Sequence, residues 1–93
     1  MNTLFFRWQS LASIARYEPE MRRLGVSEVA RSPRGFLPAY KRARGDWHNL
    51  PVRWRVERHN FIQRHLTQYR EHPTYRRWLA LMAWAYRPDR KFG

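Results

Sequence analysis

The stretch PVRWRVERHNFIQRHLTQYRE, residues 51–71, decides how this chain is read. On a 3.6-residue wheel Val52, Val56, Ile62, Leu66 and Tyr69 fall within one arc. Arg53, Glu57, Asn60, Arg64, Thr67 and Glu71 fall on the opposite arc. The spacing predicts a long amphipathic helix with one clearly wet side.

Toward the C-terminus, His72-Pro73-Thr74 ends that helix, and Thr74 is placed to cap another that runs to Tyr86 ahead of Pro88. Its Tyr75, Trp78, Leu79, Met82 and Tyr86 share one face, while Leu81 and Trp84 lie away from it. A helix apolar almost all round is either central in a bundle or keeps a face for a partner. For so short a chain the central position is the preferred reading. Residues 1–86 are expected to form a single helical domain, and Arg87 to Gly93 a basic, flexible tail.

Toward the N-terminus, Asp46 to Leu50 is expected to be a loop carrying Trp47 and His48, with Gly45 closing a helix before it. Pro38 should break the stretch near Leu37, so that helix is predicted from about Pro38 to Arg44. Ser27 is read as the cap of a turn through Val29 and Ala30, and Gly25 as the terminator of a short helical turn from Pro19 to Leu24. Residues 3–16 place Leu4, Trp8, Leu11 and Ala15 at helical spacing, and Pro19 should stop or restart that helix. No stretch alternates like a half-buried strand. The expected fold is all-α: a small, irregular bundle of about four helices with a loop-rich middle.

Ninety-three residues, 43% of them hydrophobic, suffice for one modest core. Nineteen Lys and Arg against seven Asp and Glu leave a formal charge of +12, which a compact fold must tolerate or relieve on a polyanion. Only Lys41 and Lys91 are lysine. Arginine's planar fork grips phosphate at two points and stacks on rings, although a GC-rich genome would give the same bias without any functional demand. The absence of cysteine removes disulfides and thiol chemistry. The longest apolar run, Trp78 to Tyr86, is about half of the roughly 20 residues a membrane span needs. The expected location is intracellular. Residues 1–17, without an acid and with Arg7, Ser10, Ser13 and Arg16, also have the composition of an organelle transit peptide.

Catalytic chemistry finds little support. The acids are scattered, with no pair set for acid and base roles. His48, His59, His65 and His72 lack the i, i+4 spacing of a helical metal site, and no glycine-rich phosphate loop is present. Neither enzyme activity, nor a metal, nor a cofactor is expected.

The charge is concentrated instead. Arg31, Arg34, Lys41, Arg42, Arg44, Arg53 and Arg55 stand against the single acid Asp46, half the net charge in about a quarter of the chain. Phe36, Tyr40, Trp47 and Trp54 are interleaved with them. Phosphate-gripping forks beside flat rings suit RNA or single strands, so Arg31 to Arg55, with Tyr40 and Trp47 as stacking platforms, is the expected nucleic-acid strip. Phe36 and Trp54 are read as core. The expected role is a structural or regulatory nucleic-acid-binding protein, RNA before DNA, such as a ribonucleoprotein component. The alternative is a protein-interaction module, an inhibitor or adaptor of the phage type, docking through Arg77, Leu81 and Trp84.

Overall fold

Ser10 begins the first helix of the computed structural model, which describes residues 6–89 together with 91 and 92. Its hydroxyl accepts the Ser13 N–H, and α1 runs from Leu11 to Leu24. The expected helix over 3–16 is therefore corrected in its first half; Leu4 lies outside the described residues. Residues 7–9 are extended because their backbone is spoken for: Gln9 N–H donates to Ala85 O at 2.7 Å, and Arg87 N–H donates to Arg7 O at 3.1 Å. Trp8 and Tyr86 form an antiparallel bridge between these two segments. Backbone groups committed to a partner 80 residues away are not available for a local helical turn.

Pro19 does not stop α1. It lies inside the helix, at the cost of one hydrogen bond, and is exposed. The last turn is held from outside: Met21 is fully buried, and Gly25, at φ 65°, closes the helix with Val26 N–H bonded to Met21 O at 2.8 Å. Arg76 donates to the carbonyls of Leu24 and Gly25.

The middle is more helical than expected. A single turn, α2 (Glu28–Arg31), follows Ser27, whose side chain makes no capping bond. Then comes α3 (Phe36–Arg42). The predicted break near Leu37 does not occur, because Pro38 sits in the first turn of α3, where its missing N–H has no helical partner to lose. Gly35 allows the close approach of α2 and α3: a Cβ there would lie 2.2 Å from Val29 O. Arg44 at φ 58° and Gly45 at φ 72° turn the chain out of α3, with Gly45 N–H bonded to Tyr40 O. A short 3-10 turn, Trp47–Asn49, occupies the expected loop.

The long helix is α4, Val52–Glu71. Its buried stripe, however, is rotated from the predicted arc. Val52 and Val56 are exposed, whereas Trp54, Arg58, His59, Ile62 and Leu66 face inward. Thr74 caps α5 as predicted, accepting the Arg77 N–H, but α5 ends at Ala83. Trp84 closes it with its side chain buried in the core, and Ala85 at φ 57° turns the chain out of the helix. With α5 packed on both α1 and α4, the helix is central.

The described residues thus make an all-α bundle of four helices and one helical turn, with a radius of gyration of 12.2 Å, close to the roughly 12 Å of a well-packed chain this long. No helix among them is long and apolar enough to cross a membrane. The C-terminal segment lies against the domain at its described residues: Arg7 pairs with Asp89, and Phe92 packs on Tyr69 and Tyr75. Through the interior runs a column of near-parallel rings, His65, Phe61, Trp84, Phe36, Trp8, Trp47 and His48, each stacked on the next.

Candidate nucleic-acid interface

The turn that leaves α3 positions the strip. Arg42 lies at the last position of α3, and Arg44 adopts the left-handed conformation that reverses the chain. Both line a cavity of about 510 Å³ together with Asn49 and Pro51. Pro51 in turn starts α4, placing Arg53 and Arg55 in the opening turn of that helix.

Asp46, the one acid of the strip, does not neutralise them. Its carboxylate caps the 3-10 turn, accepting from His48 N–H at 3.0 Å and lying 2.8 Å from His48 Nδ1. The hydrogen bond from His48 holds this carboxyl below the usual carboxylate value, so it stays ionised and engaged locally. Among the described residues none of Arg34, Arg42, Arg44, Arg53 and Arg55 forms an ion pair. Arg34, Arg42, Arg44 and Arg53 are exposed. Arg53 lies 4.5 Å over the ring of Trp54, which is buried as expected, and Arg55 lies 5.8 Å over that of Trp47.

Four expected members of the strip have other work. Tyr40 is 1% exposed, with its hydroxyl donating to Gln9 O at 2.8 Å, so its ring is core and offers no stacking platform. Arg31 is half-buried and donates Nε to Val26 O at 2.8 Å and Nη2 to Met21 O, tying off the end of α1. Lys41 pairs with Glu18 at 3.0 Å. Trp47 is half-buried between Trp8 and His48, whose ring covers it at 3.7 Å. His48, which composition gave no reason to choose, is the exposed ring at that end of the column.

The docking patch expected at Arg77, Leu81 and Trp84 does not form. Leu81 is 1% exposed, and Trp84 is enclosed between Phe36 and Phe61, each 5.0 Å away. Arg77 is exposed and donates to His72 O at 2.8 Å, capping the end of α4. Buried side chains have no surface left for a partner.

Sequence reasoning also passed over Arg58, whose guanidinium is fully buried and donates to four backbone carbonyls. Its position on the α4 wheel, between Trp54 and Ile62, was the available signal. No group of three or more His, Asp or Glu that could hold a metal comes together among the described residues. Compared with protein families, curated proteins and solved structures, the chain finds no match.

Proposed function

We propose that this protein binds nucleic acid without catalysing a reaction, RNA in preference to DNA, as a structural or regulatory component of a ribonucleoprotein. The observation that supports this reading is the set of exposed arginines around the α3–α4 turn, unpaired because the strip's single carboxylate is held by His48. Arg42, Arg44 and Arg53 are the principal phosphate contacts, with Arg34 and Arg55 at the margins. With Tyr40 in the core and Trp47 covered, stacking is left to guanidinium planes and to His48, and affinity comes mainly from counterion release.

RNA is preferred over duplex DNA because the unpaired arginines gather around the α3–α4 turn and not along one helix face. α3 buries Phe36, Leu37, Ala39 and Tyr40 and shows only its last residues, while the exposed side of α4 mixes Arg64 and Arg70 with Glu57 and Glu71. The test is anisotropy with labelled single-stranded RNA and duplex DNA between 50 and 200 mM salt. Log affinity for RNA should fall against log salt with a slope of about −2, as expected for three phosphates at roughly −0.7 each. The triple variant Arg42→Ala, Arg44→Ala, Arg53→Ala should lose both the affinity and the slope. No binding at 50 mM salt would end this reading.

A further inference from the structure

A second cationic cavity lies away from the strip, between α1 and the chain's C-terminal end. Its volume is about 570 Å³, and Arg16, Arg87 and Lys91 line it beside Ser13, Tyr17 and Met82. No acidic side chain lines it. None of the three cations makes an ion pair among the described residues. The fold holds them there despite their mutual repulsion. Arg16 rides on α1, and the C-terminal segment is pinned by the Arg87 N–H on Arg7 O, by the Arg7–Asp89 pair and by Phe92 against Tyr69 and Tyr75.

Like charges converging on a concave surface call for an oxyanion, and arginine forks with a hydroxyl match phosphate best. The rest of the wall is of another kind. Tyr17 is half-buried, braced edge-on against Trp78 at 4.9 Å, and Met82 lies in the floor. The space falls within the roughly 300–1,000 Å³ of small-molecule sites and exceeds what a bare phosphate fills. We propose that this groove binds a nucleotide: a phosphate monoester held by Arg16, Arg87 and Lys91, with its base against Tyr17 and Met82. The same chemistry is offered by a free nucleoside monophosphate and by the 5′-phosphorylated end of a strand. The inference goes beyond the function proposed above and stands apart from it, since the groove takes no residue from Arg31 to Arg55.

Calorimetric titration of the full chain tests it, with adenosine monophosphate, adenosine, inorganic phosphate, and an eight-nucleotide RNA with and without a 5′ phosphate. Adenosine monophosphate should bind at least tenfold more tightly than adenosine or phosphate alone. The double variant Arg16→Ala, Arg87→Ala should weaken it at least tenfold, with the fold checked by circular dichroism. Lys91→Glu, outside the helices, should weaken it as well. The strip variant Arg42→Ala, Arg44→Ala, Arg53→Ala should leave it unchanged, so loss of RNA binding in that variant says nothing against this site. A strand whose 5′ phosphate raises affinity above that of the monophosphate, with the gain lost in the Arg16/Arg87 variant, identifies a strand end. A monophosphate that binds as tightly as the phosphorylated strand identifies a free nucleotide. The proposal is overturned if the monophosphate does not bind at millimolar concentration, if the Arg16/Arg87 variant binds it equally, or if inorganic phosphate binds as tightly.

Discussion

Arg58 has no exposed surface and, among the described residues, no carboxylate partner. Its Nε donates to Trp84 O at 2.9 Å, its Nη2 reaches Phe6 O, Arg7 O and Ala85 O, and its Cζ lies 3.6 Å over the Trp8 ring. Burial pushes its pKa down to about 9, which leaves it charged at neutral pH. Four carbonyls and a ring face do what a carboxylate usually does. Replacing Arg58 with Met keeps volume but takes this donor from Trp84 O and Phe6 O, while Arg7 O and Ala85 O keep their bonds to Arg87 N–H and Gln9 N–H. At roughly 1–3 kcal/mol for each stranded carbonyl, that should cost about 2–6 kcal/mol, a large share of the roughly 5–15 kcal/mol that holds a domain together. Urea denaturation should show Arg58→Met largely unfolded or close to it; a loss below about 1 kcal/mol would show the guanidinium to be dispensable.

Tyr40 makes a pH prediction at the same scale. Burial raises its phenol pKa above the unfolded value, so its contribution is whole below about pH 10 and is lost as pH rises through the folded value. Arg58 has the opposite sign: its depressed pKa means the unfolded chain holds that proton more tightly above about pH 9, which favours the fold as pH climbs. Tyr40→Phe should cost about 1 kcal/mol at pH 7 through its lost bond to Gln9 O. Its stability should then decline less steeply than wild type above about pH 10. An equal slope would show that folding leaves the Tyr40 phenol unshifted.

At the scale of elements, the two sharpest features are Gly35 and Pro19. A methyl at residue 35 would press into the backbone oxygens of Val29 and Ala30, so α2 and α3 must separate to admit it. Gly35→Ala should lower stability by about 1–3 kcal/mol in chemical denaturation, the range of overpacked sites. Pro19 is exposed in a helix that continues past it, so Pro19→Ala restores a donor without filling any space. It should stabilise by about 2–2.5 kcal/mol, the roughly 3 kcal/mol helix penalty less the roughly 0.4–1 kcal/mol of entropy that proline removes from the unfolded chain. A lower melting temperature in that variant would mean that the proline ring itself is needed for packing.

These elements also show where local pattern was enough. Thr74 as a cap, Gly25 as a terminator and α4 as the long helix follow from spacing and backbone chemistry that act within a few residues. The phase of α4 did not follow, because an arginine counts as polar and two valines as apolar until the carbonyls around residue 58 are known. Residues 6–10 were misread for a similar reason: Trp8 suits a helical stripe, but its neighbours' hydrogen bonds are claimed by residues 85–87. Within the strip, Arg42, Arg44 and Arg53 are exposed as their type suggests. Burial of Tyr40, Leu81 and Trp84 depends on packing between distant segments.

At the scale of the whole molecule, the charge of +12 is mostly uncompensated. Three ion pairs of arginine or lysine with a carboxylate occur among the described residues, and all involve partly exposed groups of low individual worth. Repulsion among cations should therefore outweigh attraction, and raising sodium chloride from 20 to 500 mM should raise the melting temperature. A fall with salt would mean that the surface pairs matter more than the excess charge.

Arg58 bears on this scale too. The carbonyls it serves belong to residues 6 and 7 on one side and 84 and 85 on the other, with separations of 52 and 26 residues for its bonds to Phe6 and Trp84. No contiguous piece shorter than residues 6–85 contains the whole set. A nascent chain thus has nowhere to place this cation until residue 85 has been synthesised, and a chain severed in a loop between α3 and α4 would yield halves that are each incomplete. Such halves should regain structure only when mixed, so the protein is suited to being split and reassembled as a reporter of proximity.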